Sequence, residues 1–409
     1  FLGASGHAYR ADHGARPLKI LFLLTQSLDY PSGLGRYWPL AKELARLGHR
    51  VQVAALHPAL DSLPHRAFHD HSVQIQYVGP MHVRQVGHER QYYGPLGLGW
   101  AIARGSWGLA LQALVADADI VHICKPHPMN GLAGLLAHWI RRRNLVLDCD
   151  DYEAESNRYT GDWQRRAVAF WEDSLPRFAR GITTNTRFMQ QRLEALDYPS
   201  DQIAYIPNGI DRDRFAMPAP AQLDALCHRW ELKDRPVIAY IGSLSLTNHA
   251  IDLLLQAFAQ LLTHHPAAIL LLVGGGEDYT TLQRQVAGMG LDRAVRFTGR
   301  VSPEDVPAYY TLADITVDPV YDDVVARARS PLKVVESLAV GTPVVTGDVG
   351  DRREMVAAGQ AGLLVAPGDA GALAEGLARI LDNPGLARSL SEGALVQRES
   401  FYWDRLVDR

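Results

Sequence analysis

Residues 18–24, LKILFLL, form a nearly continuous apolar run and read as a strand buried on both faces. Turn-forming residues follow at 29–32. Gly33-Leu34-Gly35-Arg36 then opens a helical pattern that runs to Leu47, and Gly48 closes it. Residues 51–56 read as the next strand. A strand, a glycine turn, a helix and a second strand make one β-loop-α-β unit, whose two strands lie parallel.

The same alternation extends in both directions along the chain. Strands are expected at 73–78, 119–123, 145–148, 181–184 and 203–206, with helices at 100–115, 131–141, 162–178 and 187–195. Pro207-Asn208-Gly209-Ile210-Asp211, followed by Pro218 and Pro220, breaks the pattern. Beyond it, strands are expected at 237–241, 269–273, 295–298, 315–317 and 343–345. Helices are expected at 251–262, 280–287, 303–312, 331–340 and 371–381. Strands that alternate with helices predict parallel sheets covered on both faces. Two such units leave a cleft at the carboxyl ends of their strands, where ligands bind in open α/β sheets.

The 409 residues suit two domains. The expected division is an N-terminal arm at 1–16, a first domain at 17–215, a second at 216–385 and a helical segment at 386–409 that returns toward the first domain. Apolar residues make up 47% of the chain and charged residues 21%, an ordinary globular balance. A net charge of −4 gives no reason to expect nucleic acid as a partner. Cys124, Cys149 and Cys227 form neither a CxxC pair nor a zinc spacing, and their odd number argues against a disulfide framework. Reduced thiols and a cytoplasmic setting are expected, with no metal. No apolar run reaches the ~18 residues of a membrane span. Arg141 to Arg143 are more simply a helix C-terminus than a membrane contact, so any membrane association is expected to be peripheral.

The densest chemical signal is Ser330-Pro331-Leu332-Lys333-Val334-Val335-Glu336. Ser330 reads as an N-cap and Pro331 as the first helical residue. Lys333 and Glu336 are three apart and share one face of an otherwise apolar helix. The free N–H groups of a first helical turn attract an anion, and Lys333 adds a charge. A carboxylate one turn later suits a vicinal diol, since it accepts both hydroxyl protons. Phosphate at the helix start and ribose at Glu336 describe a nucleotide. A surface i,i+3 ion pair is the plainer alternative.

The stretch SPLKVVESLAVGTPVV resembles the donor-binding segment of retaining glycosyltransferases of family 4, which have the GT-B fold of two Rossmann-like domains facing across a cleft. The stretches SGLGRYWPLAKELARLGHRVQVAA, IPNGID, IDLLLQAFAQLL, LLLVGGGED, VRFTGRV and AGLLVAPGD are similar to that family in the same order. The resemblance implies that Glu336 holds the donor ribose and that the loop of Gly33 and Gly35 closes over the donor diphosphate. It also implies that Gly242, Ser243, Leu332 and Lys333 border the phosphates and that backbone at Arg300 and Val301 reads the base. The sequence departs from the family in two places. The first of the two usual glutamates is replaced by Ala328, as in a subset that carries Ser-Pro-x-Lys before a single Glu. Ser243 stands where Arg is usual, and Asn248 stands near the usual Lys. Lys333, Arg327, Arg329 and Arg36 are the candidates to replace those charges.

Residues 121–131, VHICKPHPMNG, follow a strand and point into the expected cleft. Lys125 and His127 are the candidate catalytic side chains, near a position where the family often places His. Residues 146–155 carry Asp148, Asp150, Asp151, Glu153 and Glu155. Asp148-x-Asp150 has the form of a cation site. The GT-B surroundings instead assign Asp150, Asp151 and Glu153 to the acceptor side or to a helix cap, with Arg158 and Arg165 as pairing partners. The expected function is transfer of a sugar from a UDP-, GDP- or dTDP-sugar to a hydroxyl on a carbohydrate, lipid or small molecule, with retention and no cofactor. A sugar-nucleotide epimerase and a non-catalytic nucleotide-sugar binder are the alternatives.

Overall fold

The computed structural model describes residues 16–30, 32–86, 89–157, 159 and 161–409. Most of the arm expected at 1–16, and Arg158, lie outside them. The first half contributes strands β1 (Lys19–Leu24), β2 (Arg50–His57), β3 (Ala67–Asp70) and β4 (Val73–Pro80). A separate antiparallel hairpin, β5 (Val83–Val86) and β6 (Glu89–Tyr92), follows. Strands β7 (Ile120–Cys124), β8 (Asn144–Cys149), β9 (Gly181–Thr184) and β10 (Ile203–Tyr205) complete the set. The sheet order is β10-β9-β8-β7-β1-β2-β4-β3, and only β3 runs antiparallel. Its helices are α1 (Trp38–Arg46), α2 (Pro95–Val115), α3 (Pro128–Arg141), α4 (Glu153–Ser156), α5 (Asp162–Ser174) and α6 (Arg187–Ala195).

The second half starts with α7 (Pro220–Trp230) and builds a six-stranded parallel sheet. Its strands are β11 (Val237–Ile241), β12 (Ile269–Val273), β13 (Val295–Gly299), β14 (Ile315–Asp318), β15 (Val344–Gly347) and β16 (Gly362–Val365), in the order β13-β12-β11-β14-β15-β16. Helices α8 (Ile251–Leu261), α9 (Tyr279–Gly288), α10 (Val306–Leu312), α11 (Val324–Arg327) and α12 (Leu332–Val340) come next, then α13 (Arg352–Met355), α14 (Ala370–Leu381) and α15 (Pro384–Gln397). The chain ends on α16 (Trp403–Leu406).

Local chemistry accounts for the central elements. Every residue of β11 and β12 is apolar and buried, as a strand covered on both faces requires. Thr186 caps α6 by accepting from the Met189 N–H at 3.2 Å, and Asp369 does the same for α14 through Ala372 at 2.9 Å. Gly341 ends α12 at φ 78°, a left-handed geometry that glycine adopts without strain.

Strand order reverses between β1 and β7 in the first sheet and between β11 and β14 in the second. A crevice opens at the carboxyl end of each such reversal. The ends concerned are Leu24 and Cys124 on one side, and Ile241 and Asp318 on the other. The chain's last helix crosses back to the first sheet. Trp403 and Leu406 are buried with Ile20, Phe22 and Tyr37, and the Trp403 indole N–H donates to the Gly35 carbonyl at 3.2 Å.

Candidate active site

Helix α12 begins one residue later than the sequence suggests. Pro331 is its N-cap and Leu332 its first residue. Ser330 is drawn away from the capping role, because Asn208 holds it. The Asn208 N–H donates to Ser330 Oγ at 3.2 Å, and the Asn208 amide donates to the Ser330 carbonyl at 2.8 Å. Lys333 and Glu336 do not pair with each other. The Lys333 ammonium lies 3.2 Å from Asp318 Oδ1 and 5.3 Å from the Tyr240 ring centroid. Glu336 accepts from the Tyr310 hydroxyl at 2.9 Å and meets Arg214 at 2.9 Å. Both side chains are nearly buried, which rules out the exposed ion pair.

Asp318 also receives Arg352, whose Nε stands 2.7 Å from Oδ2. Burial works to raise the Asp318 carboxyl, but Arg352 and Lys333 hold it well below the usual carboxylate range. Burial lowers Lys333, against the pull of Asp318, and the nearby Arg329 and Arg352 push the same way as burial. One carboxylate therefore serves two cations, and Arg329 adds a third nearby. Arg329 donates to the Asn248 carbonyl at 2.5 Å and approaches His249 Nδ1 at 3.4 Å. Burial, then Lys333 and Arg329, keep His249 well below the usual histidine range, so it adds no charge at neutral pH. The Asn248 Oδ1 is buried without a hydrogen-bond partner. The mouth of the second sheet is thus a small positive basin.

Gly242 borders this basin, since a Cβ there would lie 3.4 Å from Lys333 Cε. Ser243 contributes its carbonyl, which accepts from the Tyr240 hydroxyl at 2.8 Å. Arg300 is exposed and lies against Gly275, while Val301 is partly buried against the core cluster that includes Tyr309. Arg327 is turned outward to Asp322 at 2.7 Å and faces away from the basin's pairs. Ala328 is buried among core residues of the first sheet.

On the facing wall, Gly33 and Gly35 lie in a π-helical turn, Gly33–Tyr37, that runs into α1. Such turns recur at functional sites. A Cβ on Gly35 would stand 2.4 Å from Leu332 Cδ1, so the backbone of the first domain lies against the start of α12 in the second. Arg36 is not available to a phosphate. It is buried and grips Asp148 with two bonds, Nε to Oδ2 at 2.6 Å and Nη2 to Oδ1 at 2.7 Å. Its Nη1 donates to the Ile206 carbonyl and to Asn208 Oδ1. Asp148, Arg36, Asn208 and Ser330 make a continuous polar connection from β8 to the start of α12.

Lys125 follows β7 with a left-handed backbone at φ 73°. Its ammonium sits among three carboxylates, at 2.6 Å from Glu153, 2.7 Å from Asp151 and 3.3 Å from Asp150. Those three carboxylates come within 4.8 Å of one another, and Lys125 is their cation. Lys125 is therefore held by the acidic cluster in this structure. His127 meets the other Glu153 oxygen at 3.1 Å and is about one quarter exposed. Burial works to raise Glu153, but Lys125 and His127 hold it well below its usual range. Burial raises Asp150, against the pull of Lys125. Arg165 pairs with Glu155 at 2.9 Å. Glu172, which the sequence does not single out, caps α4 through the Glu153 and Ala154 N–H groups at 2.7 and 2.9 Å.

Several site residues escape the sequence because their partners are remote. Arg214, Tyr310, Asp318 and Arg352 carry no local motif, and the IPNGID stretch that holds Asn208 does not show that its side chain reaches Ser330.

A family model of glycosyl transferases group 1 matches residues 228–396, and one of a glycosyl transferase 4-like domain matches residues 32–209. A GDP-mannose-dependent alpha-(1-6)-phosphatidylinositol monomannoside mannosyltransferase of Mycolicibacterium smegmatis is 31% identical to this chain, over 68% of this chain and 72% of that protein. The chain belongs to the GT-B glycosyltransferases. Solved structures agree with the glycosyltransferase's architecture. A sucrose-phosphate synthase from Thermosynechococcus elongatus superposes with a TM-score of 0.75 at 21% identity, covering 96% of both chains. Anabaena HepE, solved in complex with UDP and glucose, gives 0.71 at 21% identity, over 96% of this chain and 97% of that one.

Proposed function

We propose that this glycosyltransferase moves a hexose from a nucleoside diphosphate sugar to a hydroxyl acceptor with retention of configuration. The observation that carries the proposal is the arrangement at the start of α12, where Lys333 faces a positive basin and Glu336 lies one turn deeper. The donor diphosphate lies at the first turn of α12 beside Lys333, Gly242 and Ser243, where free N–H groups and the excess positive charge attract it. The ribose diol binds Glu336, held in place by Tyr310 and Arg214. The base lies toward backbone at Arg300 and Val301. The loop of Gly33 and Gly35 covers the diphosphate from the first domain, with Leu332 as its contact.

The sugar then faces His127, and the acceptor enters beside Asp150, Asp151 and Glu153. Departure of the nucleoside diphosphate places new negative charge on the leaving oxygen. Lys333 and the helix start stabilise that charge, the largest single term in catalysis of this type. The leaving phosphate takes the acceptor proton on the same face, so positioning replaces a strong side-chain base. The mannosyltransferase relative makes GDP-mannose the first donor to test and a lipid-linked sugar the first acceptor class.

A thermal-shift panel of GDP, UDP, dTDP and their sugars tests the donor, because a ligand of the folded state raises the apparent Tm. The proposal expects one diphosphate series to stabilise the protein. Anomeric analysis of the product by NMR then tests retention. An inverted product would overturn that part of the proposal.

A further inference from the structure

We propose that the outer face of α2, α3 and α5 docks onto an anionic lipid surface. A surface helix of a globular protein normally turns a polar face to water. Helix α2 does not. Of its 21 residues, Arg104 alone is charged. Its inward stripe is Ala101, Gly105, Leu109 and Ala113. Its outward stripe is also apolar and includes Trp100 at 51% and Trp107 at 72% exposure. Helix α3 packs along α2 and continues the face with Trp139 at 58% and Ile140 at 62%. Helix α5 touches α3 and adds Trp163 and Phe170. The Trp139 ring meets Phe178 edge-on at 5.8 Å, which joins α3 to the turn after α5. An apolar patch of this extent marks an interaction surface.

Charge selects the occupant. Helices α2 and α3 carry no Asp or Glu, and α3 ends on exposed Arg141 and Arg142. Arg166 lies exposed on α5 between Trp163 and Phe170. Exposed tryptophan rings beside arginine match the headgroup level of a bilayer, where the rings are amphipathic and the cations meet lipid phosphates. A second copy packed by two-fold symmetry would set these arginines against themselves. Among the described residues no helix is long and apolar enough to cross a membrane, so the contact lies in the membrane plane. The inference is independent of which donor or acceptor the cleft takes.

Vesicle flotation tests it, with phosphatidylcholine alone and with phosphatidylcholine mixed with phosphatidylglycerol. The wild-type chain is expected to float with the anionic vesicles and stay behind with the neutral ones. Trp107→Ser combined with Trp139→Ser should weaken anionic-vesicle binding at least about tenfold. Arg141→Gln combined with Arg142→Gln should weaken it about thirtyfold, and this surface variant carries the test if the tryptophan variant fails to fold. Three results would overturn the proposal: no flotation of wild type at low salt, unchanged flotation of a folded variant, or a wild-type dimer that Trp107→Ser with Trp139→Ser converts to monomer.

Discussion

Lys333 and Asp318 face each other at 3.2 Å, ammonium to carboxylate, where neither side chain is more than a tenth exposed. Asp318 is shared with Arg352, so it does not neutralise both cations. The surplus charge is what a diphosphate would neutralise. Lys333→Met should weaken binding of a nucleoside diphosphate by tenfold to a hundredfold, about the worth of a charge-assisted hydrogen bond. Binding of the free nucleoside should not change. Calorimetric titration of the two ligands separates these outcomes. Stability should hardly suffer, because Asp318 keeps Arg352.

The Arg36–Asp148 pair is a different case, since it is buried with both charges compensated. Burial works to lower the Arg36 guanidinium, but Asp148 holds it above its usual value. Arg36→Met should cost about 3–5 kcal/mol by leaving Asp148 uncompensated. Arg36→Met with Asp148→Leu should recover part of that loss. Urea unfolding of both variants measures the difference. The single variant should also reduce transfer activity, because Arg36 anchors Asn208 and Asn208 holds Ser330.

Gly35 lies against the Leu332 side chain across the cleft, so any side chain at position 35 must displace Leu332 or the loop. Gly35→Val should push the first-domain loop away from α12. Misplacement of this size lowers kcat by roughly tenfold to a hundredfold. Nucleotide affinity should fall less, because Lys333 and Glu336 remain in place. Steady-state kinetics with saturating donor checks the split.

His122 gives the protein a weakness toward acid. It is buried against Phe22, with ring centroids 4.5 Å apart, and its Nε2 has no hydrogen-bond partner. Burial pulls it down to about 4 from 6.5, with Arg36 pulling the same way and Asp148 opposing. Between those values the unfolded chain binds a proton that the folded chain refuses. Stability from this group is therefore present above about pH 6.5 and is lost as pH falls toward 4, by up to about 3 kcal/mol. A plot of Tm against pH should fall over that window, and His122→Phe should flatten the fall.

The alternation of strand and helix was readable because β1, β11 and β12 are buried on both faces and are almost wholly apolar. The missing pieces lack that signal. Strand β3 is exposed at every residue, and α7 buries none of its residues. Strand β16 is a four-residue GLLV between glycine and proline turns. Within the site, i,i+3 spacing placed Lys333 and Glu336 on one face, but it could not show that each has its own distant partner. Asp318 lies 15 positions before Lys333, and Arg214 lies 122 before Glu336. Spacing also cannot tell a cation aimed at substrate from one already engaged. Arg36 and Lys125 both looked free in the sequence, and both are held by carboxylates in the fold.

The central claim is that Glu336 holds the ribose of the donor. Titration of wild type and Glu336→Gln with a nucleoside diphosphate and with its 2′,3′-dideoxy analogue tests it most directly. The expected result is a loss of at least about tenfold for the ribonucleotide in the variant and little change for the dideoxy analogue, which lacks the diol that the carboxylate accepts from. Equal affinity of wild type and variant for the ribonucleotide, or an equal loss for both ligands, would contradict it.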